Sequence, residues 1–64
     1  MKITLKNEGT VIFTLTTDRS KTLDEVIALS PLEAIEYDDN RNLDDPDYTL
    51  DGEDVWYDNL SVED

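Results

Sequence analysis

The sequence opens with MKITLKNEGTVIFTLTT (residues 1–17), in which apolar and polar residues alternate on both sides of a central glycine. This period of two predicts a pair of strands, each with one buried face. The apolar positions are Met1, Ile3 and Leu5 in the first strand and Val11, Phe13 and Leu15 in the second, with Ile12 as the exception. The two strands should form a β-hairpin, whose loop around Gly9 fits a connection of three to five residues.

The next signal is a helix start. Thr22-Leu23-Asp24-Glu25 has the Ser/Thr-x-x-Glu form of a capping box, in which Thr22 and Glu25 satisfy each other's free backbone amides. Leu23, Val26 and Ile27 then form an apolar stripe that can lie across the hairpin. Ser30-Pro31 predicts the end of this helix, because the residue before a proline is pushed out of the helical region.

Beyond Pro31 two continuations are open, a second short helix or a strand, and we favour the strand. In residues 34–38 Ile35 and Tyr37 alternate with acids, which predicts a strand paired beside the hairpin. The remaining expectations are a turn at 39–42, a loop at 44–47, a short strand at 48–50, a hairpin turn at Asp51-Gly52 and a final strand over 54–60.

These elements predict a single α+β domain over residues 1–64, a length that leaves no room for a second core. Its order is β-β-α-β-β-β, with the helix packed on one face of a small antiparallel sheet. We expect residues 1–37 to be a scaffold of neutral charge and residues 38–64 to be an acidic display segment.

The charge is distributed unevenly along the chain. The 17 acids and 5 bases give a net charge of −12, yet residues 1–32 carry four of each and sum to zero. Residues 33–64 hold the other thirteen acids against one base, Arg41. A chain of this charge disfavours direct binding to nucleic acid and to anionic membranes. With no signal peptide or membrane span, a cytoplasmic location is expected.

The composition argues against an enzyme and against a cofactor. The chain contains no Cys and no His, so it lacks thiolate ligands and the commonest general base and metal ligand. Clustered acids from Asp44 to Asp54 could suggest calcium, but the EF-hand spacing is not met, so no metal site is predicted. Only Gly9 and Gly52 are present, which excludes a Gly-rich phosphate loop.

The second half is also aromatic, which favours a binding surface over a disordered acidic tail. Carboxylates at i and i+2 on a strand, as in Glu36 and Asp38, would stand about 6.6 Å apart, in the range of repeated backbone charges on nucleic acid. The candidate contact residues are Glu36, Tyr37, Asp38, Asp39, Asp44, Asp45, Asp47, Tyr48, Asp51, Glu53, Asp54, Tyr57 and Asp58. Trp56 either closes the core or joins this surface.

The small size, the absence of Cys and His and the tyrosine-rich acidic stretch from Glu33 to Asp64 resemble the DNA-mimic inhibitors that phages encode. That group includes anti-CRISPR, anti-restriction and uracil-DNA glycosylase inhibitor proteins. The resemblance implies a viral inhibitor that blocks the basic, nucleic-acid-binding surface of a host defence protein, and an anti-CRISPR protein is the favoured member.

A hairpin followed by Thr22-Leu23-Asp24-Glu25 is also similar to the layout of a small phage inhibitor of bacterial RNA polymerase. Two further classes remain open: an antitoxin or immunity protein for a basic nuclease, and an acidic adaptor protein. In each case the partner is a protein, and the chain is expected to be a monomer or a small homodimer.

Overall fold

The computed structural model describes residues 1–64 and contains six strands, one α-helix and one turn of 3₁₀-helix. In chain order these are β1 (Lys2–Asn7), β2 (Thr10–Thr16), α1 (Leu23–Leu29), β3 (Glu33–Ala34), β4 (Tyr48–Leu50), β5 (Glu53–Val55), the 3₁₀ turn (Tyr57–Asn59) and β6 (Leu60–Glu63). The strands form two antiparallel sheets of three, ordered β2-β1-β6 and β3-β4-β5. The α+β class is therefore confirmed, with two small sheets where one was expected.

The first hairpin forms as the alternation predicted, but its loop is shorter than expected. Asn7 pairs with Thr10, so only Glu8 and Gly9 lie between the strands. Both have positive φ angles, 51° and 82°, which is the pattern of a type I′ turn. This turn matches the right-handed twist of the strands, so the prediction of a three-to-five-residue loop was wrong.

The second strand departs from the predicted alternation because it contains a β-bulge. Leu5 pairs with Phe13 and Lys6 with Val11, which leaves Ile12 as the extra residue. Beyond an extra residue, the side chains of a strand point to the opposite face of the sheet from the one that the alternation predicts. Val11, expected on the buried face, is therefore 54% exposed, and Ile12 packs against the core instead.

The helix begins and ends where the sequence indicated. The Thr22 hydroxyl accepts a hydrogen bond from the Glu25 amide at 3.2 Å, and the Thr22 amide donates to Glu25 Oε1 at 2.9 Å. The capping box is thus complete. Val26 and Ile27 are buried against the first sheet, and the Ser30 hydroxyl donates to the Ile27 carbonyl at 2.6 Å, which satisfies a carbonyl at the helix end.

The strand expected at residues 34–38 is wrong in extent and in partner. Only Glu33 and Ala34 form a strand, and they pair with β4 in the second sheet rather than beside the first hairpin. The strand at 48–50 and the turn at Asp51-Gly52 are confirmed, the turn having φ angles of 52° and 85°.

The final strand expected over 54–60 is also wrong, because this segment divides between the two sheets. β5 ends at Val55, the 3₁₀ turn follows, and β6 pairs with β1. Val55 and Leu60 are five residues apart, so one continuous strand would point them to opposite faces. The 3₁₀ turn reorients the chain, and both side chains enter the same core.

The core is small and draws on both halves of the chain. Six residues are buried: Ile3, Leu5, Val26, Ile27, Val55 and Leu60. The molecule is elongated, with principal extents of 40 × 19 × 18 Å. No helix has the length and apolar character needed to span a membrane.

Candidate acidic interaction surface

The predicted contact residues lie in three adjoining parts of the chain. They occupy the long connection between β3 and β4, both strands and the turn of the β4–β5 hairpin, and the 3₁₀ turn that follows. We call the whole set, from Glu36 to Asp58, the acidic surface. Glu36 and Asp38 lie outside the strands, so the strand spacing expected for this pair is wrong.

Arg41, the single base of the second half, organises the β3–β4 connection. Its guanidinium lies 4.7 Å from the centre of the Tyr37 ring, a distance at which a cation–π contact forms. It pairs with the Asp47 carboxylate and donates to the Asp45 carbonyl at 3.2 Å. The Tyr37 hydroxyl donates to the Pro46 carbonyl at 2.6 Å. One cation therefore holds both ends of the acidic connection together.

Two further carboxylates in this connection are used to fix its turns. Asp38 Oδ1 accepts from the Asn40 amide and Asp45 Oδ2 accepts from the Asn42 amide, both at 2.9 Å. Asp side chains that accept from a backbone amide two or three residues away, as Asp38 does after itself and Asp45 before itself, stabilise turns. The acids of this segment thus shape the loop as well as charge it.

Asp47 has both carboxylate oxygens engaged inside the structure. One pairs with Arg41 and the other accepts from the Tyr57 amide at 2.8 Å. The hydrogen bond from Arg41 lowers the pKa of Asp47, and the bond from the Tyr57 amide lowers it further. The Asp47 backbone also bridges Val55 and Ile35. Asp47 therefore holds the β3–β4 connection, the end of β5 and the start of the 3₁₀ turn together.

The aromatic residues tie the acidic surface to the rest of the fold. The Trp56 ring nitrogen donates to the Asp44 carbonyl at 2.9 Å, and the Tyr57 hydroxyl donates to Asp24 on the helix at 3.0 Å. The hydrogen bond to Asp24 raises the pKa of Tyr57. Tyr37, Trp56 and Tyr57 remain 37–38% exposed, whereas Tyr48 is half-buried and packs against the core.

The other carboxylates of the acidic surface are free. Seven are exposed, with neither an ion pair nor a hydrogen bond: Glu36, Asp39, Asp44, Asp51, Glu53, Asp54 and Asp58. The whole chain has only two ion pairs, Lys6 with Glu63 and Arg41 with Asp47. Of the ten acids in this surface, only Asp47 is paired with a base, so the surface carries a dense negative charge.

Arg41 and Trp56 belong to the framework of this surface, although neither was among the predicted contact residues. Arg41 is the only base among thirteen acids, and that isolation was the available signal. The contact between Tyr57 and Asp24 spans 33 positions, and no local pattern could have indicated it.

The structure has no pocket and no group of three or more acidic side chains placed to hold a metal ion. Comparisons of the chain with models of known protein families, with curated proteins and with solved structures found no match.

Proposed function

We propose that this protein binds a basic, nucleic-acid-binding surface of a host defence protein and blocks it by presenting the charge pattern of a nucleic acid. A CRISPR effector is the favoured class of target. The observation that carries the proposal is the set of seven exposed, unpaired carboxylates on an internally braced frame. A basic cleft offers such a set the counter-charges that the chain itself lacks.

The charge density supports the comparison with nucleic acid. A net charge of −12 over a length of 40 Å is one charge per about 3.3 Å. One strand of duplex DNA carries one phosphate per about 3.4 Å, and the two strands together one per about 1.7 Å. Averaged over the whole molecule, the protein approaches the linear charge of a single strand, and residues 33–64 carry all of that net charge. Its elongated shape suits a cleft that holds one strand.

The internal bracing favours affinity. Binding by a mobile acidic tail must overcome the entropy lost when each side chain and loop becomes ordered. Here Arg41, Tyr37 and Asp47 already fix the connection that carries Asp39 and Asp44. A braced surface loses less entropy on binding than a tail of equal charge.

The exposed aromatics add a second component to the interface. Tyr37, Trp56 and Tyr57 each keep more than a third of their surface accessible beside free carboxylates. Tyrosine and tryptophan are enriched among the residues that dominate binding energy, and their rings stack on arginine side chains. Arginine is over-represented in sites that recognise phosphates and nucleic acids.

Competition for the target tests the mechanism. A purified CRISPR effector should be unable to hold its guide or target nucleic acid and this protein together, and its affinity for the protein should fall steeply as salt rises. Fluorescence anisotropy with labelled nucleic acid, repeated across a salt series, measures both effects. A ternary complex of undiminished affinity would overturn competitive mimicry.

A pair of matched charge reversals tests the surface. Asp54→Lys lies in the acidic surface, and Asp18→Lys makes the same change in charge at an exposed position in the bend before the helix. We expect Asp54→Lys to weaken binding by about tenfold or more and Asp18→Lys to have a much smaller effect. Equal losses would mean that net charge, and not this surface, determines binding.

A further inference from the structure

The two sheets have four edge strands, and three of them are protected against pairing with another chain. β6, β3 and β5 contain only four, two and three residues, and each carries at least one acid. Short length and charge are the usual protections of a sheet edge. β2 is different, because its seven residues (TVIFTLT) include no charged residue, no proline and no glycine.

The side chains of β2 are also incompletely covered. The helix packs mainly against β6 and β1, and β2 is not among its main contacts. Ile12, Phe13 and Leu15 are only half-buried, although all three contact the core, and Val11 is 54% exposed. An added strand along β2 would therefore satisfy free backbone groups and also cover apolar surface.

We propose that the β2 edge pairs antiparallel with β2 of a second copy of this chain, joining two first sheets into one of six strands. The charge distribution favours a second copy of the chain as the partner of β2. Two molecules of net charge −12 repel each other, but residues 1–32 sum to zero, so the neutral half is the face through which two copies can approach. A strand without charged residues is compatible with its own copy, because no like charges meet across the junction.

Symmetry restricts the register of such a pair. A two-fold axis perpendicular to the sheet leaves the core-facing side of both copies on the same face of the joined sheet. Opposed residues must then point to the same face, so their residue numbers are both odd or both even. The bulge at Ile12 limits the regular stretch to Phe13–Thr16. An axis at Thr14 places Phe13 opposite Leu15 twice, whereas an axis at Leu15 gives a single apolar pair. We therefore place Thr14 opposite its own copy.

This register defines a charge-swap experiment. Thr14→Lys and Thr14→Glu each put like charges face to face, so each should weaken dimerisation by about fivefold, the upper range for cross-strand pairs. An equimolar mixture of the two variants should restore dimers. Ser61→Lys and Ser61→Glu are the matched controls, because Ser61 is exposed on the opposite edge of the same sheet. They should leave dimerisation unchanged.

Sedimentation equilibrium measures the association, and denaturant melts of each variant verify that it folds. Wild-type dimerisation should strengthen as salt rises, because screening reduces repulsion between acidic halves. Binding to a basic target should weaken over the same range, so the two proposals can fail independently. A wild-type chain that stays monomeric at millimolar concentration, an equal loss in the Ser61 variants, or a Thr14 mixture without recovery would overturn the β2 pairing.

Discussion

At the scale of single residues, Asp47 has the most connections in the second half of the chain. Its side chain binds Arg41 and the Tyr57 amide, and its backbone bonds Val55 at the end of β5 and Ile35 just after β3. Seven other acids of the acidic surface have neither an ion pair nor a hydrogen bond. The acidic surface thus depends on a carboxylate that is itself neutralised, which leaves the remaining carboxylates available to a partner.

Asp47→Asn tests this role through pH. Its pKa is lowered in the folded protein, first by Arg41, so the ionised carboxylate stabilises the fold. That stabilisation is complete above the unfolded pKa of about 3.9 and is lost as the pH falls through the lower folded pKa. Denaturant melts should show wild type more stable than Asp47→Asn at pH 7, with the gap closing in acid. Asp39→Asn, at a free acid, should show no such gap.

The helix cap gives a second prediction at this scale. Thr22→Ala removes the acceptor for the Glu25 amide and should lower the free energy of unfolding by about 1 kcal/mol. Thr22→Ser keeps the hydroxyl and should remain close to wild type. Chemical denaturation of the three proteins gives the comparison, and an alanine variant as stable as the serine variant would contradict the cap.

The hydrogen bond from Tyr57 to Asp24 predicts a change at high pH. This bond raises the pKa of the folded phenol above its usual 10.0, so the protonated form stabilises the fold. The contribution is complete below the unfolded pKa and is lost as the pH rises through the folded pKa. Wild type should therefore exceed Tyr57→Phe in stability at pH 8 by more than it does above pH 10. Tyr48→Phe controls for the loss of a hydroxyl that makes no hydrogen bond.

At the scale of elements, both hairpins depend on two-residue turns that need positive φ. Gly52 has φ +85°, a conformation that costs a residue with a Cβ about 1–2 kcal/mol. Gly52→Ala should destabilise the protein by that amount although nothing crowds the new methyl group. Asp51→Asn keeps a residue that tolerates positive φ and should be neutral or stabilising. Thermal melts compare the two, and a harmless Gly52→Ala would contradict the turn type.

The sequence predicted the elements whose signals are local. Alternation indicated β1 and β2, the capping box indicated the start of α1, and Asp51-Gly52 indicated the second hairpin. Each of these signals lies within a few consecutive positions of the sequence. The bulge at Ile12 was visible only as an irregularity in the alternation, because either Val11 or Ile12 could face the core until the pairing with β1 is known.

The errors share a cause in side-chain and strand contacts that periodicity does not reveal. Residues 34–38 alternate like a strand, yet Tyr37 is held by Pro46 and Arg41, which turns the segment out of the sheet. β6 exists because Leu60 and Val62 pair opposite Asn7 and Leu5 at the other end of the chain. Neither partner could be assigned from periodicity.

The acidic surface was predictable in composition and not in arrangement. Counting charges located the acids in the second half and argued against direct binding to nucleic acid. It could not distinguish Asp47, which is fully engaged, from Asp54, which is free, because the difference lies in where Arg41 points. Telling paired acids from free acids requires the three-dimensional structure of the β3–β4 connection.

At the scale of the whole molecule, electrostatic repulsion opposes the fold. The chain has a net charge of −12, a core of six buried residues and two ion pairs. High net charge destabilises a compact state through self-repulsion. If the acidic surface is kept for binding, the protein retains this repulsion at the expense of its own stability, a common conflict between stability and function.

Salt should therefore stabilise the free protein. Raising the ionic strength from about 0.01 to 0.15 M shortens the Debye length from about 30 to 8 Å and weakens repulsion among the exposed acids. The melting temperature should rise over this range, where screening dominates over salting-out. Asp54→Lys, with a net charge of −10, should melt higher at low salt and gain less from added salt. A melting temperature that falls with salt would mean that attraction within the pairs Lys6–Glu63 and Arg41–Asp47 outweighs repulsion among the free acids. A basic partner would then gain nothing by relieving repulsion within the acidic surface.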